Sequence, residues 1–123
     1  MPSRILCIAG GLLFFLPTDL RPQGIHTIEY EKIRVIRALS GVVLDPSDAP
    51  MARVSVEEFT SDWKTALRST ETDEGGHFAM TSAKDRKVYF LQFSFPYFNP
   101  IRIRVRIGNK NAKELQLKME PSA

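Results

Sequence analysis

The sequence predicts an all-β protein, namely an antiparallel Greek-key β-sandwich of about seven strands that is preceded by an N-terminal, signal-like hydrophobic helix. Three observations support this prediction. From residue 38 onward, short stretches alternate between apolar and polar side chains, as strands with one buried face do. Turn-forming residues separate these stretches at short intervals, which is typical of a sandwich. No stretch of comparable strength has the periodicity of a helix.

The first 24 residues have the organisation of a secretory signal peptide. Arg4 supplies a positive charge, residues 5–16 form an uninterrupted run of apolar residues and glycine, and Pro17 ends the run. This run is shorter than the stretch of about 20 apolar residues that a membrane-spanning helix needs. No small-residue pair marks a clear cleavage point, so the sequence leaves open whether the leader is removed or stays as an anchor. A buried N-terminal core helix is the other interpretation.

The leader predicts a location outside the cytoplasm, so we expect the protein to be secreted or periplasmic, at the bacterial cell envelope. The composition, with 43% hydrophobic and 25% charged residues, excludes a disordered chain and a polytopic membrane protein. The single cysteine, Cys7, lies inside the leader. The segment that follows therefore has to be stable through its core alone, and about 100 residues are enough for that.

We predict three segments: the signal peptide at 1–24, an N-terminal arm or edge strand at 25–37, and the β-sandwich at 38–120. The strands of the sandwich are predicted at residues 38–44, 54–59, 67–72, 78–80, 88–95, 101–107 and 115–119. Between them, Pro, Gly, Asn and Asp indicate turns, among them residues 45–50, 96–100 and 108–111 and a hairpin-type turn at residues 73–76.

The strands at 88–95 and 101–107 have the clearest alternation. In the first, one face carries Tyr89, Leu91, Phe93 and Phe95. In the second, Ile and Val alternate with arginine at every position, so that the arginines point away from the apolar side chains. We therefore predict a buried core that includes Phe78, Tyr89, Leu91, Phe93, Ile103 and Val105.

Six short motifs follow one another in this part of the chain. Residues 40–45 read Ser-Gly-Val-Val-Leu-Asp, and Ala-Pro at 49–50 precedes Ala-Arg-Val-Ser-Val at 52–56. A Thr-Asp-x-x-Gly-x-Phe turn lies at 72–78, and Tyr-Phe-Leu at 89–91 precedes the aromatic pair at 97–98. The series resembles carboxypeptidase regulatory-like domains, which are transthyretin-like (prealbumin-like) sandwiches. The resemblance implies a carbohydrate-binding-like fold and a module that accompanies larger proteins, and it brings no catalytic residues.

We predict no catalytic site. The chain has no Ser in a G-x-S-x-G elbow, and the segment after the leader has no thiol nucleophile. Small transthyretin-related hydrolases share the sandwich but end in Tyr-Arg-Gly-Ser, whereas this chain ends in Lys-Met-Glu-Pro-Ser-Ala. We expect no cofactor.

We predict no metal site either. The acidic turn residues lack the closely spaced series of ligands that calcium requires, so we expect them to cap turns instead. These residues are Asp45, Asp48, Asp73 and Glu74. The two histidines, His26 and His77, lie far apart in the sequence, and a metal site needs more ligands than one histidine provides.

The charge distribution suggests one binding surface. Residues 86–113 contain seven basic residues and no acidic one, and three of them form the row Arg102, Arg104 and Arg106. Residues two apart on a strand lie about 7 Å apart on one face, so this row suits an anionic partner. The alternative is that the arginines pair with glutamates of neighbouring strands, for which the candidates are Glu57, Glu71 and Glu114.

Loop aromatics suggest a second kind of surface. Trp63 and Tyr97 could stack on sugars if both face solvent on one rim of the sandwich. The alternative is that these aromatics plug the open ends of the sandwich, which we favour for the pair Tyr97-Phe98.

Together these features predict an exported, non-catalytic module for protein binding or structural support at the cell envelope. The alternatives are a carbohydrate-binding surface module and a small transthyretin-related hydrolase. The expected partner is another envelope or secreted protein, or a carbohydrate or anionic polymer. Nucleic acid is not expected, since the strand aromatics alternate into the core. Contact with a membrane is expected only through an uncleaved leader. The candidate binding residues are Arg102, Arg104, Arg106, Trp63 and Tyr97.

Overall fold

The structure, a computed structural model, describes residues 25–122, and the predicted signal helix at 1–24 lies outside them. Residues 25–122 form nine strands in two sheets and contain no helix. It follows that no helix in this part of the chain is long and apolar enough to cross a membrane. The predicted β-sandwich is confirmed.

In chain order, the strands are β1 (Ile28–Glu29), β2 (Arg34–Ile36), β3 (Ser40–Leu44), β4 (Ser55–Phe59), β5 (Ala66–Glu71), β6 (His77–Ala79), β7 (Val88–Ser94), β8 (Ile101–Ile107) and β9 (Leu115–Lys118). The large sheet has the order β1-β8-β7-β4-β5, and β2 also pairs with β8. The small sheet has the order β6-β3-β9. Strands β3 to β9 correspond to the seven predicted strands, and β1 and β2 lie in the segment before them.

The prediction of a purely antiparallel sandwich is wrong at three strand pairs. Strands β1 and β2 both run parallel to β8, and β9 runs parallel to β3. A short turn forces two successive strands to be antiparallel, but none of these three pairs is joined by one. β9, for example, follows β8 across to the other sheet and there lies beside β3.

The core lies between the two sheets and consists mainly of the inward-facing residues, which alternate along each strand. The six residues predicted to be buried are each at most 4% exposed, which confirms their assignment to the core. Phe78 of the small sheet meets Phe93 of the large sheet edge to face, with 5.3 Å between ring centroids. The other members of the core are Ile36, Leu39, Val43, Met51, Val54, Val56, Ile101, Leu115, Leu117 and Met119.

The turn at residues 73–76 does not close a hairpin, which corrects that prediction. It takes the chain from β5 in the large sheet to β6 in the small sheet. The change of sheet begins at the buried Thr72, whose hydroxyl donates to the Met51 carbonyl (2.6 Å) and accepts from the Val54 amide (2.9 Å). Gly76 has φ of 77°, and a Cβ there would lie 2.7 Å from the Val43 carbonyl oxygen. Only glycine fits this position without strain.

Aspartate side chains hold the turns of the sandwich. The Asp73 carboxylate accepts from the amides of Gly75 and His77 (both 2.9 Å), and these bonds lower the pKa of Asp73. Asp45 accepts from Ser47 and Ala49 in the same way, and its pKa is also lowered. The predicted capping role is therefore confirmed for Asp45 and Asp73. Within residues 25–122, no group of His, Cys, Asp and Glu side chains is placed to hold a metal ion.

The two ends of the described chain meet at the turn between β7 and β8. The His26 amide donates to Asn99 Oδ1 (3.2 Å), and the Ser122 amide donates to the Tyr97 carbonyl (2.9 Å). Between these contacts, the Asn99 amide donates to the Glu120 carbonyl (2.8 Å). Residues 97–99 thus fix both ends at one side of the sandwich.

Candidate binding face

The outer face of the large sheet, which is the side turned away from the small sheet, carries the arginine row. Because Ile103 and Val105 are buried, the residues that alternate with them point outward. Two rows of side chains cross three strands there, as the register shows. One row consists of Glu57, Gln92 and Arg102, and the other of Phe59, Phe90 and Arg104.

Arg102 is held in place by three contacts. Its Nε donates to Gln92 Oε1 (2.8 Å), and its Nη1 lies 3.8 Å from Glu29 Oε2 on β1. The guanidinium carbon lies over the ring of Trp63, 4.9 Å from the ring centroid. The side chain remains 29% exposed, so its charge still faces solvent.

Trp63 is half-buried and packs onto the outer face from the loop between β4 and β5. Its ring lies 5.8 Å from that of Phe59 and meets Phe90 edge to face at 5.6 Å. The loop folds back because the Trp63 amide donates to the Thr60 carbonyl (2.9 Å) and Trp63 adopts φ of 63°. The Asp62 side chain accepts from the Lys64 amide and the Thr60 hydroxyl, and these bonds lower its pKa.

These residues form one continuous surface, which we call the arginine–tryptophan face. It consists of Arg102, Arg104 and Arg106 of β8 together with Phe59, Trp63 and Phe90. Sequence analysis identified the arginines and Trp63 separately, and the structure brings Arg102 and Trp63 into contact. The sequence analysis did not identify Phe59 and Phe90 as part of this face. The signal for both was an aromatic side chain at an outward position of its strand.

The alternative in which the row pairs with Glu57, Glu71 and Glu114 is wrong about the partners. In the part of the chain that the structure describes, none of these glutamates forms an ion pair with an arginine of the row. Glu57 lies opposite Gln92, one strand away from β8, and Glu71 lies on the edge strand β5. Glu114 immediately precedes β9, which belongs to the small sheet. Among residues 25–122, Arg104 and Arg106 have no ion-pair partner.

Tyr97 lies apart from this face. Trp63 packs on Phe90 near the beginning of β7, whereas Tyr97 follows the end of that strand. Tyr97 is 76% exposed, which corrects the prediction that it plugs the end of the sandwich. That role falls to Phe98, which packs on Phe95 with 5.9 Å between ring centroids. The positive φ of Tyr97, 69°, turns its side chain outward while its backbone carbonyl stays bonded to Ser122.

On the inner side of the large sheet, sequence analysis missed one buried charge. Glu58 is 1% exposed, and its carboxylate accepts from Arg68 Nε at 2.6 Å and lies 3.1 Å from Arg86 Nη1. The alternation of Val54 and Val56 already places Glu58 on the inner side. The two arginines come from β5 and from the segment before β7, so the ion pairs join three parts of the chain.

A comparison with protein families finds that residues 38–120 match the model described as a carboxypeptidase regulatory-like domain. The matched range is the same as the range predicted for the β-sandwich, in which the sequence resembles this family. This range contains every residue of the arginine–tryptophan face and ends before Pro121 and Ser122, the last two described residues. A search of curated proteins found no match to the chain.

Proposed function

Because the chain belongs to the carboxypeptidase regulatory-like domain family, whose members are non-catalytic β-sandwich modules, we propose that it is a binding module whose arginine–tryptophan face engages an acidic protein. The signal-like leader predicted at residues 1–24 supports a location at the cell envelope, so we expect the partner to be an envelope or secreted protein.

One observation carries the proposal, namely the position of the Arg102 guanidinium over the Trp63 ring. Stacking of this kind contributes about 0.5–2 kcal/mol and keeps a cation and an aromatic surface together. Arg and Trp are also the residue types that most often dominate the energy of protein interfaces. Next to this pair, Arg104 and Arg106 have no acidic partner within residues 25–122.

The surroundings of Trp63 favour a protein over a carbohydrate. A sugar that stacks on tryptophan needs a free ring face, but Arg102 already lies over this ring, and Phe59 and Phe90 pack against it. The exposed Tyr97 is too far along the sheet to complete such a platform. An acidic segment with apolar side chains fits better, because its carboxylates can reach the guanidinium groups while its apolar groups cover the aromatics.

The test uses a fluorescently labelled peptide that alternates Glu with Leu, and the full-length protein. We expect the affinity for this peptide to fall about tenfold in the double variant Arg102→Gln/Arg104→Gln, since two lost exposed charge contacts of about 0.7 kcal/mol each together amount to about 1.4 kcal/mol. Binding by the parent should also weaken as salt rises above about 0.1 M, because exposed charges are then screened.

The matched control is Lys110→Gln/Lys113→Gln, which removes the same charge from exposed positions away from the face. This variant should bind the peptide as the parent does. Chemical denaturation of both variants verifies that they are folded. Equal losses in the two double variants would mean that the peptide responds only to net charge, and the proposal would be wrong. Retention of an envelope protein by the parent but not by Arg102→Gln/Arg104→Gln would identify the partner.

A further inference from the structure

An open groove lies at the end of the large sheet where β7 begins and β8 ends. The segment at residues 82–87 forms one wall, and the last residues of β8 and the turn after them form the other. Arg106 lies opposite Val88, and the Ile107 amide donates to the Lys87 carbonyl (2.9 Å). The polar residues that line this basic groove are Ser82, Lys84, Arg86, Lys87, Arg106 and Asn109.

The wall formed by residues 82–87 is fixed at two points. The hydroxyl of the buried Tyr89 accepts from the Ala83 amide (2.7 Å) and donates to the Arg86 carbonyl (3.0 Å). The Arg86 guanidinium is attached to the buried Glu58 (3.1 Å). The groove therefore exists before any ligand binds, which lowers the conformational cost of binding.

Three cationic side chains of the groove have no ion-pair partner among the described residues. Arg86 contacts Glu58 and lies over the Tyr89 ring at 5.2 Å, so its charge is already compensated. By contrast, Lys84, Lys87 and Arg106 have no ion-pair partner within residues 25–122. The acidic neighbour Asp85 is exposed and does not line the groove. Like charges that line a concave site repel one another, and a bound anion relieves that repulsion.

From this geometry we propose that the basic groove binds a phosphate-bearing anion with more than one negative charge. The guanidinium of Arg106 can bind two phosphate oxygens at once, and the ammonium groups of Lys84 and Lys87 add charge from the opposite wall. The Ser82 hydroxyl and the Asn109 amide supply neutral donors for the remaining oxygens. This site goes beyond the proposed function, because its ligand is different and because, apart from Arg106, its residues do not belong to the arginine–tryptophan face.

The probe is pyrophosphate, titrated by calorimetry into the full-length protein in about 0.1 M salt. We expect a dissociation constant of about 1 mM or below, and a loss of at least about tenfold in Lys84→Gln/Lys87→Gln. The variant Lys110→Gln/Lys113→Gln has the same net charge and should bind pyrophosphate like the parent. Equal losses in both variants, or no binding by the parent to either pyrophosphate or phosphate-bearing vesicles, would overturn the proposal.

A second arm identifies the source of the phosphate. Sedimentation with vesicles of phosphatidylcholine that contain phosphatidic acid, compared with vesicles of phosphatidylcholine alone, tests a lipid headgroup. Sedimentation that depends on phosphatidic acid and on Lys84 and Lys87 would assign the groove to lipid, and binding of pyrophosphate alone would assign it to a soluble phosphate. Failure of both probes would contradict the proposal.

The two proposals can fail separately. Arg106 belongs to the arginine–tryptophan face and also lines the groove, so it is left unchanged in all variants. Arg102→Gln/Arg104→Gln should retain pyrophosphate binding, and Lys84→Gln/Lys87→Gln should retain binding of the acidic peptide. If each variant instead lost both ligands to the same degree, the groove would not be a site distinct from the arginine–tryptophan face.

Discussion

Glu58 links three segments of the chain through a buried carboxylate and two arginines. Removing one partner of a buried ion pair costs about 3–5 kcal/mol. Here the arginine side chains are 34% and 39% exposed, so they can turn partly to water, and the cost is smaller. We expect Glu58→Gln to lower the free energy of unfolding by about 2–3 kcal/mol, measured by urea denaturation.

The neighbouring residue provides a control for this prediction. Glu57 has the same charge but lies on the outer face without an ion pair among residues 25–122, so Glu57→Gln should change the free energy of unfolding by at most about 0.5 kcal/mol. Losses of equal size in the two variants would contradict a special role for Glu58.

At the residue scale, alternation predicts direction but not contact. The period of two correctly turns Arg102 outward, and it also places Glu58 on the inner side. It could not show that Trp63 lies beneath Arg102, because that contact depends on a loop in which one non-glycine residue has a positive φ. Nor does the sequence give the distances that join Glu58 to two arginines from other segments.

At the scale of the strand, β7 makes the clearest prediction about stability. Leu91 is fully buried between β4 and β8, so Leu91→Ala should cost about 2–5 kcal/mol. A domain has about 5–15 kcal/mol in total, so this variant should be close to unfolding in thermal and chemical denaturation. Ser94→Ala changes an only partly buried position of the same strand and should have a small effect. A similar denaturation midpoint for both variants would argue against this core.

The turns predict how stability depends on pH. Hydrogen bonds lower the pKa of Asp45, Asp62 and Asp73 in the folded protein below 3.8, the ordinary value of an aspartate. As the pH falls, the unfolded chain therefore takes up protons before the folded protein does. The stabilisation is complete well above pH 3.8 and is lost as the pH falls through the lowered pKa values of the folded state. We expect the denaturation midpoint to be lower at pH 3 than at pH 6. It should fall less when all three residues are replaced by Asn, which can still cap a turn. An equal fall in parent and variant would show that other groups cause the acid sensitivity.

At the element scale, strands were predictable and their neighbours were not. Residues 88–94 and 101–107 each have one buried and one mostly half-buried face, which alternation records directly. Alternation does not record which strand lies alongside, so the parallel partners of β8 and β3 could not be predicted. The turn at residues 73–76 was misread as a hairpin for the same reason, since Asp and Gly favour a turn whether or not the flanking strands pair.

The whole chain carries one prediction that rests on residues 1–24 alone. Expressed from Met1 in a bacterial host, the protein should leave the cytoplasm, because Arg4 and the apolar run at 5–16 have the organisation of a signal sequence. The variant Leu13→Arg/Phe14→Arg interrupts that run and should keep the protein in the cytosol. Cell fractionation distinguishes the two, and a parent found only in the cytosol would contradict the prediction.

The meeting of the two ends of the described segment, residues 25–122, at residues 97–99 has a consequence for how the domain can be connected. Domains whose ends lie close together tolerate circular permutation, so a short linker from Ser122 back to Ile25 would allow new ends to be opened in the exposed turn at residues 46–49. By the same reasoning, the sandwich could be inserted as a cassette into a surface loop of a host protein. The host chain would enter and leave at one point and would need little rearrangement to accept it.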